Sequence, residues 1–452
     1  MRKIIYNGNI VNEGLRFHGY VVVQGEQIES VAEGNPSAEL LASCEERYDV
    51  DEALVMPGAI DDHVHFREPG MTHKADIASE SRAAVAGGVT SFMDMPNCKP
   101  ATVTLEALDA KFAKAAEVSV ANYSFYIGAT NDNLAELKKV DFSQVCGIKA
   151  FLGSSTGGML LSADEAKRRV FSDFGTIVAI HSEDETIIKS NRDRYLQELG
   201  ATDGDLPLAY HGRVRSEEAC YESTRQAVAL AKDCGTRLHI LHITTAKELS
   251  LLDAGTPLVE KKITAESCPA HLLFTDADLE RLGARVKCNP SVKTAADREA
   301  LRKALKSGLI DVIGTDHAPH LLSEKQGGCL KAASGMPMVQ FSLVTMLELV
   351  QQGVVSLETV VEKMCHAPAV LYLMKNRGFL RKGYQADIAV VKPLSQPHVI
   401  ADSDVISRCG WTPLTGMQMH HEVAMTFVNG QLAYADGKVS DSVHGQRLMF
   451  NN

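Results

Sequence analysis

Two textures of hydrophobic and polar positions divide the chain. From residue 1 to about 56 the apolar positions alternate, as in Ile4-Ile5-Tyr6 and Tyr20-Val21-Val22-Val23-Gln24-Gly25-Glu26-Gln27-Ile28, with turn residues between the runs. Alternation of this kind marks short, half-buried strands. Beyond Met56, continuous apolar runs of strand length take turns with helical segments. That is the pattern of repeated βα units around a parallel sheet covered on both faces. The runs near 60–65, 89–95, 121–128, 146–152, 176–181, 237–242, 263–268 and 310–315 read as eight strands, which predict a closed (β/α)8 TIM-type barrel. Helices are expected over 79–86, 105–116, 163–171, 217–232 and 296–306, with Ser162 and Thr294 among the capping residues. Strand texture returns after about 378, in 386–391 and 423–430. Neither β-rich end alone could bury much apolar area, so the two are expected to pair into one small β-sandwich. The fold class is therefore α/β, with a composite β-sandwich domain from 1–56 and 379–452 and a barrel domain over 57–378.

Composition narrows the function without naming it. At 452 residues, 45% hydrophobic and 23% charged, the chain has material for a large core. A net charge of -11 and the lack of a Lys/Arg run argue against nucleic acid as a partner and leave a small molecule. The ten cysteines are scattered singly, without the paired spacing of zinc fingers or disulfide scaffolds, which fits a reducing cytoplasm. No apolar run reaches the length of a signal peptide core or a membrane span, so no membrane partner is expected.

The chemistry lies in what the strand ends carry. Barrel sites form at the C-terminal ends of the strands. In Asp61-Asp62-His63-Val64-His65-Phe66-Arg67-Glu68-Pro69-Gly70, strand parity puts His63 and His65 on one face, where one metal ion could reach both, with Arg67 following as a fixed cation. The second strand ends in Met95-Pro96-Asn97, the fourth contains Lys149, the fifth ends in His181, and the sixth holds His239 and His242. The eighth runs into Gly314-Thr315-Asp316-His317-Ala318-Pro319-His320. Four histidines and an aspartate suit zinc. Lys149, flanked by Ile148 and Phe151, is costly as a buried ammonium; as a neutral amine it can take up carbon dioxide to give an anionic carbamate, and the alternative is a stem that carries its charge out to solvent.

Other residues receive structural readings. Opposite parity to His242 makes His239 outer-facing or structural, Asp62 points away from His63, and His317 is expected to support Asp316. Asp61 is left unassigned. The run Gly153-Ser154-Ser155-Thr156-Gly157-Gly158 lacks the Lys-Ser/Thr of a phosphate loop and reads as a rim loop, and Ser323 to Gly328 is a candidate closing loop.

Taken together, Asp61 to Gly70, Met95-Pro96-Asn97, Lys149, His181, His242 and Thr315 to His320 resemble the amidohydrolase superfamily and, within it, the dihydroorotase family, over about 50–390. The resemblance implies a distorted barrel with a β-sandwich from both termini and a homodimer. It also implies two Zn2+ ions: His63, His65 and Asp316 on one, His181 and His242 on the other, bridged by N6-carboxylated Lys149 and a hydroxide. Asp316 is then the catalytic base and acid, Arg67, Asn97 and His320 hold a substrate carboxylate, and Asn289 contacts the ring amide. The implied reaction is reversible hydrolysis of dihydroorotate to N-carbamoyl-L-aspartate. Allantoinases and dihydropyrimidinases share the ligands but typically lack the arginine; a non-catalytic scaffold of the same fold is the alternative of another class. Two stretches depart from the family pattern. Asn289-Pro290-Ser291-Val292-Lys293 stands where Asn-Pro-Pro-Leu-Arg is usual, and Gly335 to Gln340 lacks the usual Gly-rich, Glu-containing form.

Overall fold

The computed structural model describes residues 1–153, 159–201 and 204–451. Eight parallel strands succeed one another in chain order: β1 (Ala59–Val64), β2 (Val89–Asp94), β3 (Asn122–Gly128), β4 (Gly147–Phe151), β5 (Ile177–His181), β6 (Arg237–Ile240), β7 (Ile263–Ser267) and β8 (Val312–Ile313). A parallel bridge between Val64 and His317 joins the last to the first, and the His65 N–H donates to the His317 carbonyl at 2.8 Å. The barrel is the one expected, each strand lying on one of the eight apolar runs. Strands β1 to β5 are buried at every position, which is why they read as continuous apolar runs.

Ile60, Met93, Tyr126, Ile177 and Val312 pack in the barrel interior with Tyr372, Leu448 and Phe450. The C-terminal segment closes the N-terminal ends of the strands, where the Leu448 N–H donates to the Tyr123 carbonyl at 2.9 Å. Fully buried side chains such as Leu448 and Phe450 contribute about 1.5–3 kcal/mol each relative to exposure. The opposite rim is left for chemistry.

Both termini build one nine-stranded sheet. The joint is where Ile388–Val399 runs antiparallel to Leu54–Pro57, with Ile388 opposite Pro57 and Val391 opposite Leu54. Hydrogen bonding continues outward through the N-terminal strands on one side and Gln418–Val428 on the other, around a core that includes Ile5, Val21, Val55, Ile388 and Phe427. The sheet is tied to the barrel through Asp387, which pairs with Arg377 and accepts from Asn122 Nδ2 of β3 at 3.1 Å.

Thr294 caps the helix Ala295–Ser307 as expected, in a reciprocal arrangement with Asp297. Ser162 does not cap. The helix there is Asp164–Ser172, with Ala163 as the preceding residue, because Asn131 Oδ1 takes the N–H groups of Ser162 and Ala163 at 3.1 and 3.0 Å. Residues 154–158 of the expected rim loop lie outside the described residues. Among the described residues no helix is long and apolar enough to cross a membrane.

Candidate active site

His63, His65, Lys149, His181, His242 and Asp316 converge at the C-terminal rim, and all six line one cavity of about 350 Å³. Ligand atoms of His63, His65 and Asp316 lie within 4.8 Å of one another. Both imidazoles present Nε2 to the same carboxylate oxygen, Asp316 Oδ1, at 3.3 and 3.0 Å. Their other nitrogens are held: His63 Nδ1 lies 3.0 Å from Glu266 Oε1, and His65 Nδ1 lies 2.8 Å from Asn97 Oδ1. His181 and His242 face each other, Nδ1 to Nε2, at 3.0 Å.

Burial lowers the pKa of His63, His181 and His242, so all three rings are neutral near pH 7, the form a metal requires. Burial alone would raise the Asp316 carboxyl, but His63 and His65 hold it below its ordinary value. Lys149 is fully buried, which excludes a stem reaching solvent. Its Nζ has no hydrogen-bond partner among the described residues, and burial brings its pKa down to about 7. A substantial fraction of the amine is therefore neutral and nucleophilic.

Arg67, Asn97, Asn289 and His320 line the same cavity. Arg67 donates from Nε to the Pro319 carbonyl at 3.0 Å, and its Nη2 lies 3.1 Å from His320 Nε2. His320 is kept neutral by burial and by Arg67, Lys74 and Lys325, with Lys74 Nζ on its Nδ1 at 3.1 Å. The Asn289 Oδ1 is buried without a partner among the described residues. In its altered neighbourhood Lys293 donates to the Ser291 hydroxyl at 2.8 Å and to the Ser291 carbonyl at 3.1 Å, bracing the loop from within. The candidate closing loop overlaps the short 3-10 turn Leu322–Lys325, and Lys325 Nζ donates to the carbonyls of Lys287, Ala333 and Gly335 at 3.1, 2.7 and 2.8 Å. That ties the cavity wall from Leu330 to Gly335 in place.

Arg67, His242 and Asp316 adopt φ of 69°, 41° and 48°. Left-handed backbone costs a non-glycine residue about 1–3 kcal/mol and clusters where geometry serves function.

The amidohydrolase family model matches residues 54–433, and thus the whole barrel. The chain belongs to the amidohydrolase family. A dihydroorotase of Halobacterium salinarum is 35% identical to it over 405 residues, covering 87% of this chain and 89% of the relative. An allantoinase of Bacillus velezensis is 31% identical over 402 residues, covering 87% of each. Among solved structures, L-hydantoinase (dihydropyrimidinase) from Arthrobacter aurescens superposes with a TM-score of 0.92 at 26% identity, covering 99% of both chains.

Parity misleads at two places in this amidohydrolase. Strand β6 ends at Ile240, and His242 leaves it with left-handed backbone, so counting from His242 does not place His239. His239 faces inward, its Nε2 3.2 Å from Asp62 Oδ2. The pairing of β1 with β2 is irregular between Asp61 and Val64, which lets Asp62 turn inward as well as His63. Asp62, His239 and Glu266 form a fully buried group below the rim residues. His317 does not support Asp316: its Nε2 donates to Glu80 at 2.7 Å, and its Nδ1 accepts from the Met338 and Val339 N–H groups. Asp61 accepts from the Thr315 N–H and hydroxyl at 3.0 and 2.5 Å, fastening the end of β8. The sequence reading passes over Glu183, Arg215 and Glu266. Glu266 carries a legible signal, a charged residue in a buried strand, the same one that singles out Lys149.

Proposed function

We propose that this amidohydrolase is a metal-dependent hydrolase of cyclic amides whose substrate is dihydroorotate, opened reversibly to N-carbamoyl-L-aspartate in pyrimidine synthesis. The observation that carries the substrate is Arg67 beside His320 on the cavity wall, a buried cation next to the metal-ligand candidates. Burial lowers Arg67 only to about 10, so it is charged at neutral pH. A guanidinium offers paired donors that a ring carboxylate accepts and an uncharged dihydropyrimidine does not.

The residues fit a binuclear centre. Two inward-facing nitrogens of neutral histidines at 3.0 Å, and two more converging on one carboxylate oxygen, leave lone pairs that a cation satisfies. The partnerless Lys149 amine fits conversion to a bridging carbamate. His63, His65 and Asp316 would hold one zinc ion and His181 and His242 the other, with carboxylated Lys149 shared. Such ions supply a water acidic enough to act as a nucleophile near pH 7 and polarise the scissile carbonyl. Asp316 takes the proton of the attacking water and returns it to the leaving ring nitrogen. Arg67, Asn97 and His320 orient the ring through its carboxylate, and Asn289 Oδ1 accepts from the ring N–H. Asn97 Oδ1 also holds His65 Nδ1 at 2.8 Å.

A cytoplasmic location belongs to the same reading, supported by ten free cysteines. So does a homodimer, supported by the family resemblance. The second reading, an allantoinase or hydantoinase, is favoured by the likeness to the B. velezensis and A. aurescens enzymes. Comparing kcat/KM of zinc-loaded protein on dihydroorotate, allantoin and dihydrouracil separates the readings. Dihydroorotate is expected to be preferred by at least about 100-fold, the effect of roughly 2.7 kcal/mol from one charged contact; preference for either neutral ring contradicts the assignment.

A further inference from the structure

Histidine ligands are set by the hydrogen bond that their other nitrogen makes. In the first group both rings are held at Nδ1, His63 by Glu266 and His65 by Asn97, and both present Nε2. His181 is reversed. Its Nε2 lies 3.0 Å from Glu183 Oε2, and its Nδ1 faces His242. A carboxylate can only accept, so the proton sits on His181 Nε2 and Nδ1 is bare. The other ring of the pair has no such partner: His242 Nδ1 is buried without a hydrogen bond among the described residues. One carboxylate therefore governs the protonation pattern of the whole His181/His242 pair.

Glu183 is fully buried, and its only charged partner besides the His181 ring among the described residues is Arg215. Arg215 Nη1 donates to the same oxygen that accepts from His181. Gly153 packs closely on the Glu183 backbone: a Cβ there would stand 2.5 Å from the Glu183 carbonyl oxygen and 3.2 Å from its Cβ. Arg215 also lines the cavity, so the pair spans from the cavity wall to the second ligand group.

We infer that Glu183, paired with Arg215, is the positioning residue that makes His181 a ligand through Nδ1, and that the occupancy of the His181/His242 metal position depends on it while the His63/His65/Asp316 position does not. This rests on the binuclear reading above. Removing one charge of a buried pair strands the other, so the decisive variant is the double substitution Glu183→Leu with Arg215→Met, which removes both together at similar volume. Glu183→Gln serves as the milder partner, since a neutral amide still accepts a hydrogen bond.

The experiment is titration of metal-stripped full-length protein with Co2+, followed by visible absorption and equilibrium dialysis. Wild type is expected to bind two equivalents. The double variant is expected to keep the first at unchanged affinity and to bind the second about 10–100-fold more weakly, the usual effect of losing a partner of a ligating histidine. Glu183→Gln is expected to fall between the two. Two equivalents of wild-type affinity in the double variant overturn the inference, as does equal weakening of both, which marks a merely structural role. A wild type that binds one equivalent or none overturns the binuclear reading instead.

Discussion

Arg67→Met is expected to lower kcat/KM for dihydroorotate by about 30- to 4000-fold while leaving the metal content unchanged. The range is the cost of removing one partner of a buried charged contact, about 2–5 kcal/mol, at 1.4 kcal/mol per tenfold. Methionine keeps the length of the side chain and removes the charge. Arg67 Nε is spent on the Pro319 carbonyl and Nη2 stands beside His320, so Nη1, without a hydrogen bond among the described residues, is the donor left for a ligand. None of these contacts involves His63, His65 or Asp316, which is why metal content measured by elemental analysis should not move. Turnover of an uncharged cyclic amide should be little affected. Undiminished turnover of dihydroorotate in the variant would defeat the substrate assignment, even with the fold and the metals intact.

Lys149→Ala is expected to lose both bound metal and activity. The fully buried amine has no hydrogen-bond partner among the described residues and stands among His63, His181 and His242. As a carbamate it would be the one group shared between the two metal positions. Alanine opens a cavity of the size of the lost stem, so added acetate or propionate is expected to restore part of the metal and part of the rate. Full metal loading of the variant without any added acid would contradict the carbamate.

Much of this was legible in the sequence because parallel barrels impose a simple rule. Strands covered on both faces must be apolar, so Lys149 and the histidines stood out against Ile148, Ile180 and Leu241, and the rim position followed from the ends of the runs. Parity worked for His63 and His65. It failed for Asp62 and His239, because β1 is irregular between Asp61 and Val64 and because β6 stops before His242. The period of two holds only while the strand does. His317 misled for a related reason: it continues the barrel by bridging to Val64, and its ring turns outward to Glu80.

What stayed hidden are the residues that act through others. Glu183 follows His181 by two positions, but nothing in the sequence says that its carboxylate returns to the ring. Arg215 comes from the bend between the helices His211–Val214 and Glu217–Cys234, 32 residues further on. Asn97 shows how roles combine: expected at the substrate, it is placed with one amide atom on His65, so the group that would position the ring also orients a metal ligand.

The most direct test of the account is a crystallographic map of zinc-loaded protein recorded at the zinc edge, read at the C-terminal ends of β1, β4, β5 and β6. Two anomalous peaks are predicted, one among His63, His65 and Asp316 and one between His181 and His242, with branched density continuous from Lys149 Nζ lying between them. A single peak, or an unmodified lysine amine beside two ions, would contradict it.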